Sequence, residues 1–516
     1  MKNQNALLRS ILPAIAGTLI LFPLIFSSGC SQGTPEEQAE SILEKSGIHG
    51  GIIVHLYCED GSLTEKLKAN GSYLVQGLDP EAENIQKARE YIASRQEYGP
   101  ISVDKLTGNR LPYTDNMINL IVAEDLGNIP EEEAMRVLTP NGVLMKKGLF
   151  GWKKTVKPRP ADLDEWNQYL YNAGNNPVSK DTAIGPVKHY QWVGAPMWGR
   201  HHDTTASMSA LVSARGRIFY IIDEGPLESV ELPSENYLVA RDAFNGTILW
   251  KRAIPEWQDH LFPMKSGPAY LPRRLVAIGD RVYVTLGINA PVSELDAVTG
   301  ETLRTFEGTK QTSEIIVSDN TLFLVVGRPE KTRKDFTSTT VYVWDRATEA
   351  RNEWGWSKEP GQIMALDIAS GHANWTKEYP VGPLTLSADA KSVYFYNGEK
   401  LVSLDRKTGS ENWQSDPVQT RKFDTAYSPR LVVSDNVLVF SLGGDSDFAA
   451  GSMMALSASD GKKLWDAPQP LSGHYSPEDI FVIDGLVWTG AIAFSGENTG
   501  SYTGRDLHTG EVVSEF

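Results

Sequence analysis

Apolar and polar positions alternate along this chain in two different ways. From Gly51 to about residue 147, short apolar runs take turns with amphipathic stretches. IIVHLY (52–57) reads as a buried strand and GSLTEKLKANG (61–71) as a short helix stopped by Gly71. SYLVQGLD (72–79) is a second strand, followed by a helix over PEAENIQKAREYIASR (80–95). INLIVAED (118–125), EEEAMRVL (131–138) and GVLMKK (142–147) read as strand, helix and strand. Strands that alternate with helices predict a parallel α/β sheet covered on both faces, a Rossmann-like layer arrangement. From Val187 onward the helical period disappears. β runs such as RIFYII (217–222), RVYVTL (281–286), TLFLVV (321–326), SVYFY (392–396), VLVFSL (437–442) and GLVWTG (485–490) recur between polar turns.

A phrase follows each of these runs. It reads RDAFNGTILW at 241–250, LDAVTGETLR at 295–304, LDIASGHANW at 366–375, LDRKTGSENW at 404–413, LSASDGKKLW at 456–465 and RDLHTGEVVS at 505–514. The chemistry is that of a tight hairpin. Asp296 or Asp405 can accept from the turn's N–H groups, while Gly300 or Gly409 supplies a positive φ. Trp250, Trp375, Trp413 and Trp465 are then expected to be buried between neighbouring sheets. The motif glycines recur every 40 to 70 residues or so, which suits four-stranded blades with insertions. The longest gap carries 328–361, an insertion within the third unit. Six copies of the phrase favour an incomplete or irregular ring over a six-bladed ring closed by YQWVG (190–194).

The phrase resembles the repeat of the pyrroloquinoline-quinone-like (quinoprotein-type) β-propellers, and the resemblance covers roughly 185–516. Dehydrogenases of that superfamily carry an adjacent cysteine pair beside the quinone. This chain has two cysteines, Cys30 and Cys58, far apart, so the quinone is not an expected cofactor. Related propellers use the repeat purely as a scaffold, among them the lipoprotein that assists outer-membrane protein assembly. The order over 41–155 resembles a class I S-adenosylmethionine-dependent methyltransferase. VHLYCEDGSLTEKL (54–67) lies over the Gly-rich first motif and GLDPEAENIQKAR (77–89) over the second strand, whose Asp79 would hold ribose hydroxyls. LPYTDNMINLIVAED (111–125) and EAMRVLTPNGVLM (133–145) match later motifs. The ligand would sit outside the carboxyl ends of the strands. The departures weigh against it. His55 stands where the family has an acid, and Tyr57 and Glu59 occupy places meant for glycine, leaving Gly61. A ring and an extra carboxylate would fill the pocket. Little chain remains after Met145 for the final strand pair. The resemblance thus implies a degenerate, non-catalytic relative, with S-adenosylmethionine not expected as a cofactor.

The 516 residues leave room for two or three domains. The net charge of −16 and pI near 5.1 disfavour a phosphate backbone as partner, so nucleic acid is set aside. The N-terminus reads as an export signal, residues 1–30. Lys2 and Arg9 precede the apolar run ILPAIAGTLILFPLIF (11–26). The run ends in SSGC, which resembles the lipobox of bacterial lipoproteins and makes Cys30 the expected lipidation site. The alternative is an ordinary secretory signal with an incidental cysteine. Residues 31–40 read as a polar, flexible tether. Residues 156–186 read as a connector with one short helical patch at Asp164–Leu170, where Trp166 and Tyr169 dock onto the propeller.

Two polar clusters stand out. WGRHHDTT (198–205) gathers Arg200, His201, His202 and Asp203 at a loop-to-strand junction, and GHYSPED (473–479) brings His474 and Tyr475 before the last strong strand. Imidazoles beside a guanidinium can serve acid–base work. The plainer reading is loop side chains bonded to backbone. Three functions follow. The first is an envelope-anchored binding or scaffolding lipoprotein, with the membrane and a protein or polysaccharide as partners. The second is an enzyme acting on an extracellular polymer at the propeller mouth, and the third a methyltransferase.

Overall fold

The computed structural model describes residues 33–149, 151–197, 199, 206–226, 232–257, 269–327, 356, 358–418, 428–443, 451–469, 480–490, 500 and 502–516. Residues 1–30, expected to be an export signal ending in Cys30, lie outside them. Among the described residues no helix is long and apolar enough to cross a membrane.

The first domain begins earlier than its apolar runs suggest. Helix α1 (Pro35–Ser46) starts on a capping box, in which Thr34 accepts from the Glu37 N–H and Glu37 reaches back to the Thr34 N–H at 2.8 Å. Ala39 and Ile42 on α1 are buried in the domain core. The stretch expected to be a flexible tether is therefore helical from Pro35. Its charges face solvent and its few apolar residues fall on one side. Strands β1 (Gly51–Leu56), β2 (Tyr73–Asp79), β3 (Ile101–Lys105), β4 (Ile118–Ala123), β5 (Leu138–Gly148) and β6 (Gly151–Val156) form one sheet in the order β3-β2-β1-β4-β5-β6. The first five run parallel, and β6 is an antiparallel edge hairpinned onto β5. The wholly parallel sheet expected from the apolar runs is corrected at that edge. GWKKTV is too polar to read as a strand, and it pairs because Gly151, at φ 109°, turns the chain back.

Helices α1, α2 (Ser62–Lys66) and α3 (Ala82–Ser94) cover one face of the sheet, where Ile42, Ile85 and Ile92 meet Ile53, Val75 and Val122. Helix α4 (Glu131–Val137) covers the other, where Ala134 and Val137 meet Val54, Ile121 and Leu144. Burial on both faces explains why these strands read as continuous apolar runs.

Among the described residues the rest of the chain forms six four-stranded antiparallel sheets, each with its strands in chain order. The blades span 208–254, 275–305, 312–379, 387–414, 430–469 and 481–515. The repeated phrase makes the expected hairpin between the third and fourth strands. Asp296 accepts from the N–H groups of Val298 at 2.8 Å and Thr299 at 2.9 Å, and Gly300 has φ 74°. The phrase also locks neighbours together. Trp250 donates its indole N–H to the Ala297 carbonyl of the next blade, Trp375 to Arg406, Trp413 to Ala458 and Trp465 to Leu507, all at 2.9–3.0 Å. Each indole lies flat on the next motif glycine, and a Cβ on Gly300, Gly409, Gly461 or Gly510 would come within 2.5–2.6 Å of the ring. Glycine is thus required twice over, by φ and by the ring. Trp375 and Trp465 are buried, whereas Trp250 and Trp413 are only partly so. In the second blade Arg304 replaces Trp and donates to the Ala369 carbonyl at 3.2 Å.

The first blade has no preceding blade in the chain, yet its lock is filled. Trp192, from YQWVG, donates to the Ala243 carbonyl at 2.9 Å and covers Gly246. At the other end Ser514 stands where four of the other five copies of the phrase end in Trp.

The connector does more than link. Its residues pair in turn with the first strand of every blade. The N–H groups of Ser213, Ala277, Ala388 and Val433 bond to the carbonyls of Trp166, Asn167, Ala173 and Gly174, at 2.7–2.9 Å. Gln168 bonds both backbone groups of Val317 through its amide, and Asn176 does the same with Val482. The first strands of all six blades therefore gather around residues 166–176. The short helix expected at Asp164–Leu170 does not form. Its backbone groups are taken by the blades, and Asp164 instead accepts from Tyr171, Ser179 and the Lys180 N–H.

Candidate functional site

In open α/β sheets ligands bind outside the carboxyl ends of the strands, where the strand order reverses. Here that place lies beyond β1, between β2 and β4. The loop after β1 holds Tyr57 at φ 56° and Glu59 at φ 48°, left-handed conformations that favour glycine. Tyr57 turns toward the β4 side, where its hydroxyl donates to the Leu126 carbonyl at 3.3 Å. A Cβ on Gly127 would stand 2.0 Å from that hydroxyl, so the ring presses directly on the next loop.

Asp79, the residue that the methyltransferase resemblance assigns to ribose, is 1% exposed. Its carboxylate accepts from the N–H groups of Glu59 and Glu81 at 3.0 and 2.9 Å and from the Asn84 amide at 3.1 Å. It ties two loops of its own domain together. Gly61, the other assigned position, packs on α3, where a Cβ would come within 2.8 Å of Ala88. Its lack of a side chain serves helix packing.

Below the loop, the buried His55 ring bonds through Nδ1 to the Thr64 hydroxyl at 2.8 Å. Burial lowers its pKa to about 4, against the pull of Glu124 and Asp79. Cys58 packs on Gly77, and burial pushes its thiol up to about 12, so it stays protonated and inert.

The opposite end of this sheet docks on the first blade. Asn119, at the start of β4, donates to Asp242 at 2.7 Å and accepts from Asn245 at 2.7 Å and from the Ile52 N–H at 2.8 Å. Asn245 also donates to the Met117 carbonyl, and Ser72 to the Leu249 carbonyl. Asp242 is the hairpin aspartate of the first repeat. Burial pushes its pKa up, while its bonds to Asn119, Phe244 and Asn245 work the other way. The carboxyl ends of the strands therefore point away from the propeller.

Within the propeller, Arg273, Arg274 and Glu314 are buried beside the connector. Arg273 bonds Asn175 and, at 3.5 Å, the Leu386 carbonyl; Glu314 accepts from the Leu384 N–H at 2.8 Å. Burial lowers the Arg273 pKa and raises that of Glu314. Nothing in the sequence singles out this group, because LPRRLVAIG (271–279) reads as a basic loop before a strand.

The clusters Arg200, His201, His202, Asp203 and His474, Tyr475 lie outside the described residues. The stretches that hold them lead into the first strands of the first and sixth blades, Met208–Ala214 and Phe481–Ile483. Among the described residues no group of three or more His, Cys, Asp or Glu is placed to hold a metal.

No curated protein matches the sequence. The first domain is similar in structure to a candidate S-adenosyl-L-methionine-dependent methyltransferase from Methanococcus maripaludis, at 25% identity and TM-score 0.21, covering 23% of this chain and 56% of that one. It is also similar to a geranyl diphosphate C-methyltransferase from Streptomyces coelicolor, at 14% identity and TM-score 0.20, covering 21% and 44%. The chain thus spans about half the length of these methyltransferases. A europium-containing methanol dehydrogenase matches at 11% identity and TM-score 0.43, over 68% of this chain and 78% of that one. Residues 359–515 match the family model for outer membrane protein assembly factor BamB. The chain therefore joins a methyltransferase-like α/β domain to a PQQ-like propeller, of which residues 359–515 carry the match to the BamB family model.

Proposed function

We propose that this chain is an exported scaffolding protein, tethered to the cell envelope by a lipid on Cys30, which works through its surface by holding a protein partner. The observation that carries this reading is that the chain's own residues occupy the first domain's cleft. Tyr57 fills its β4 side, and the buried Asp79 is engaged by Glu59, Glu81 and Asn84. The match of 359–515 to an outer membrane assembly factor supports a periplasmic, outer-membrane-associated setting. A contact surface of suitable character exists on the sixth blade. Tyr502, Val512, Val513 and Phe516 are each at least half exposed, and Phe516 stacks on Trp488 with ring centroids 5.4 Å apart. Exposed apolar groups clustered in this way favour a protein contact.

Photo-crosslinking in intact cells tests the reading. A photoreactive residue in place of Phe516 should give a discrete adduct with an envelope protein, and one in place of the exposed Glu83 on the first domain should not. The same diffuse pattern from both positions would overturn it. Labelled palmitate should enter the wild-type chain and not Cys30→Ser; equal labelling of the two would remove the anchor from the account.

A further inference from the structure

A cavity of about 680 Å³ lies at the junction of the two domains. His49 and Asn119 of the first domain, Arg159 of the connector, and Arg215, Arg217, Asp242 and Asp280 of the first two blades line it. Three guanidiniums in one cavity are unexpected in a chain of net charge −16. They are organised by two carboxylates. Asp280 takes Arg215 at 2.8 Å and Arg217 at 2.5 Å, while Glu165 takes Arg159 at 3.0 Å and the Arg215 backbone N–H at 2.6 Å. The third carboxylate, Asp242, is already engaged by Asn119 and two backbone N–H groups, and burial raises its pKa while those bonds oppose the shift.

Two further features bear on a ligand. The Nε–H of Arg217 is buried and meets no acceptor, although the side chain is only 12% exposed. A buried charged donor without an acceptor is costly, and a shift of the side chain that brought it to an oxygen in the cavity would relieve it. Arg215, with a side chain 60% exposed, makes a single described guanidinium bond, to Asp280, and so keeps donors free toward the opening. The volume suits a small organic molecule and exceeds what a lone inorganic ion needs.

We propose that this interdomain cavity is a binding site for a small organic oxyanion, a phosphate monoester or a carboxylate, held by Arg217 and Arg215, with Arg159 also in the lining. The planar fork of arginine matches both headgroups in two-point fashion. Because both domains and the connector contribute walls, an occupant bridges them and stabilises their junction. The site is separate from the surface assigned to a protein partner, so either proposal can fail alone.

Calorimetry on the full exported chain tests it, with glycerol 3-phosphate, succinate and inorganic phosphate as probes. At least one of the two organic probes should bind saturably, more tightly than inorganic phosphate, and raise the thermal midpoint. Arg215→Gln should weaken that binding at least tenfold, and Arg95→Gln, on the far surface of α3, should leave it unchanged. Asn119→Ala, which loosens the junction without touching a guanidinium, should weaken it less than Arg215→Gln does. An absence of saturable heat from all three probes with correctly folded wild-type chain would overturn the site. So would equal affinity in wild type and Arg215→Gln, and binding of inorganic phosphate as tight as that of the organic probes would reduce it to an ion site.

Discussion

The first domain and the propeller are each built on an architecture that can hold a ligand at its centre, and each turns its own chain toward that centre by a different route. In the first domain the filling residues belong to the loop itself. Tyr57 and Glu59 sit where a ligand's backbone cradle would lie, and Asp79 closes on the same loop. In the propeller the filling comes from outside the repeat, as residues 166–176 pair with all six first strands. The first route costs local strain at two left-handed non-glycine residues. The second supplies backbone bonds that the first strands would otherwise lack, so there the filler is part of what holds the sheets together.

The largest effect expected lies in the blade-to-blade lock. Trp375→Ala removes a buried indole, and the urea midpoint should fall by an amount equal to roughly 3–5 kcal/mol. An unchanged midpoint would mean that the blades stay together without the lock. Next comes His55 in the first domain. Its native pKa of about 4 lies below the ordinary histidine value of 6.5, so the unfolded chain takes up the proton first as pH falls. The stability from keeping it neutral is complete above pH 6.5 and lost between 6.5 and about 4. At 1.36 kcal/mol per unit the loss is on the order of 3 kcal/mol. His55→Asn should flatten that slope, and an equally steep slope in the variant would assign it to other groups.

How much of this was legible follows from the range of each interaction. The hairpin phrase declares itself because Asp and Gly act within five residues. The departures at His55, Tyr57 and Glu59 were visible for the same reason. The connector was not, because Gln168 and Asn176 are ordinary polar residues until strands some 150 and 300 positions away meet them. Arg273 and Glu314 were hidden likewise. Strand β3 went unread because ISVDK is short and only its first half is buried, and α1 because a polar sequence concealed Ala39 and Ile42.

Two smaller perturbations sharpen the comparison. Gln168→Ala leaves both backbone groups of the buried Val317 without partners and should cost about 1–3 kcal/mol. A cost within error would reduce the connector to a passive link. Ser514→Trp restores the lock residue at the end of the sixth blade, but Trp192 already covers the first blade's Gly246. Stability should therefore change by no more than about 0.5 kcal/mol. A clear gain would mean that the sixth blade can displace Trp192 and close onto the first.

The central claim is that the chain itself occupies the first domain's ligand position, and titration of the folded two-domain chain with S-adenosylmethionine by calorimetry tests it most directly. The account predicts no saturable heat at physiological concentration, because the Tyr57 ring presses on the Leu126–Gly127 loop beside the cradle and the buried Asp79 already takes three donors of its own domain. A dissociation constant in the micromolar range would contradict it.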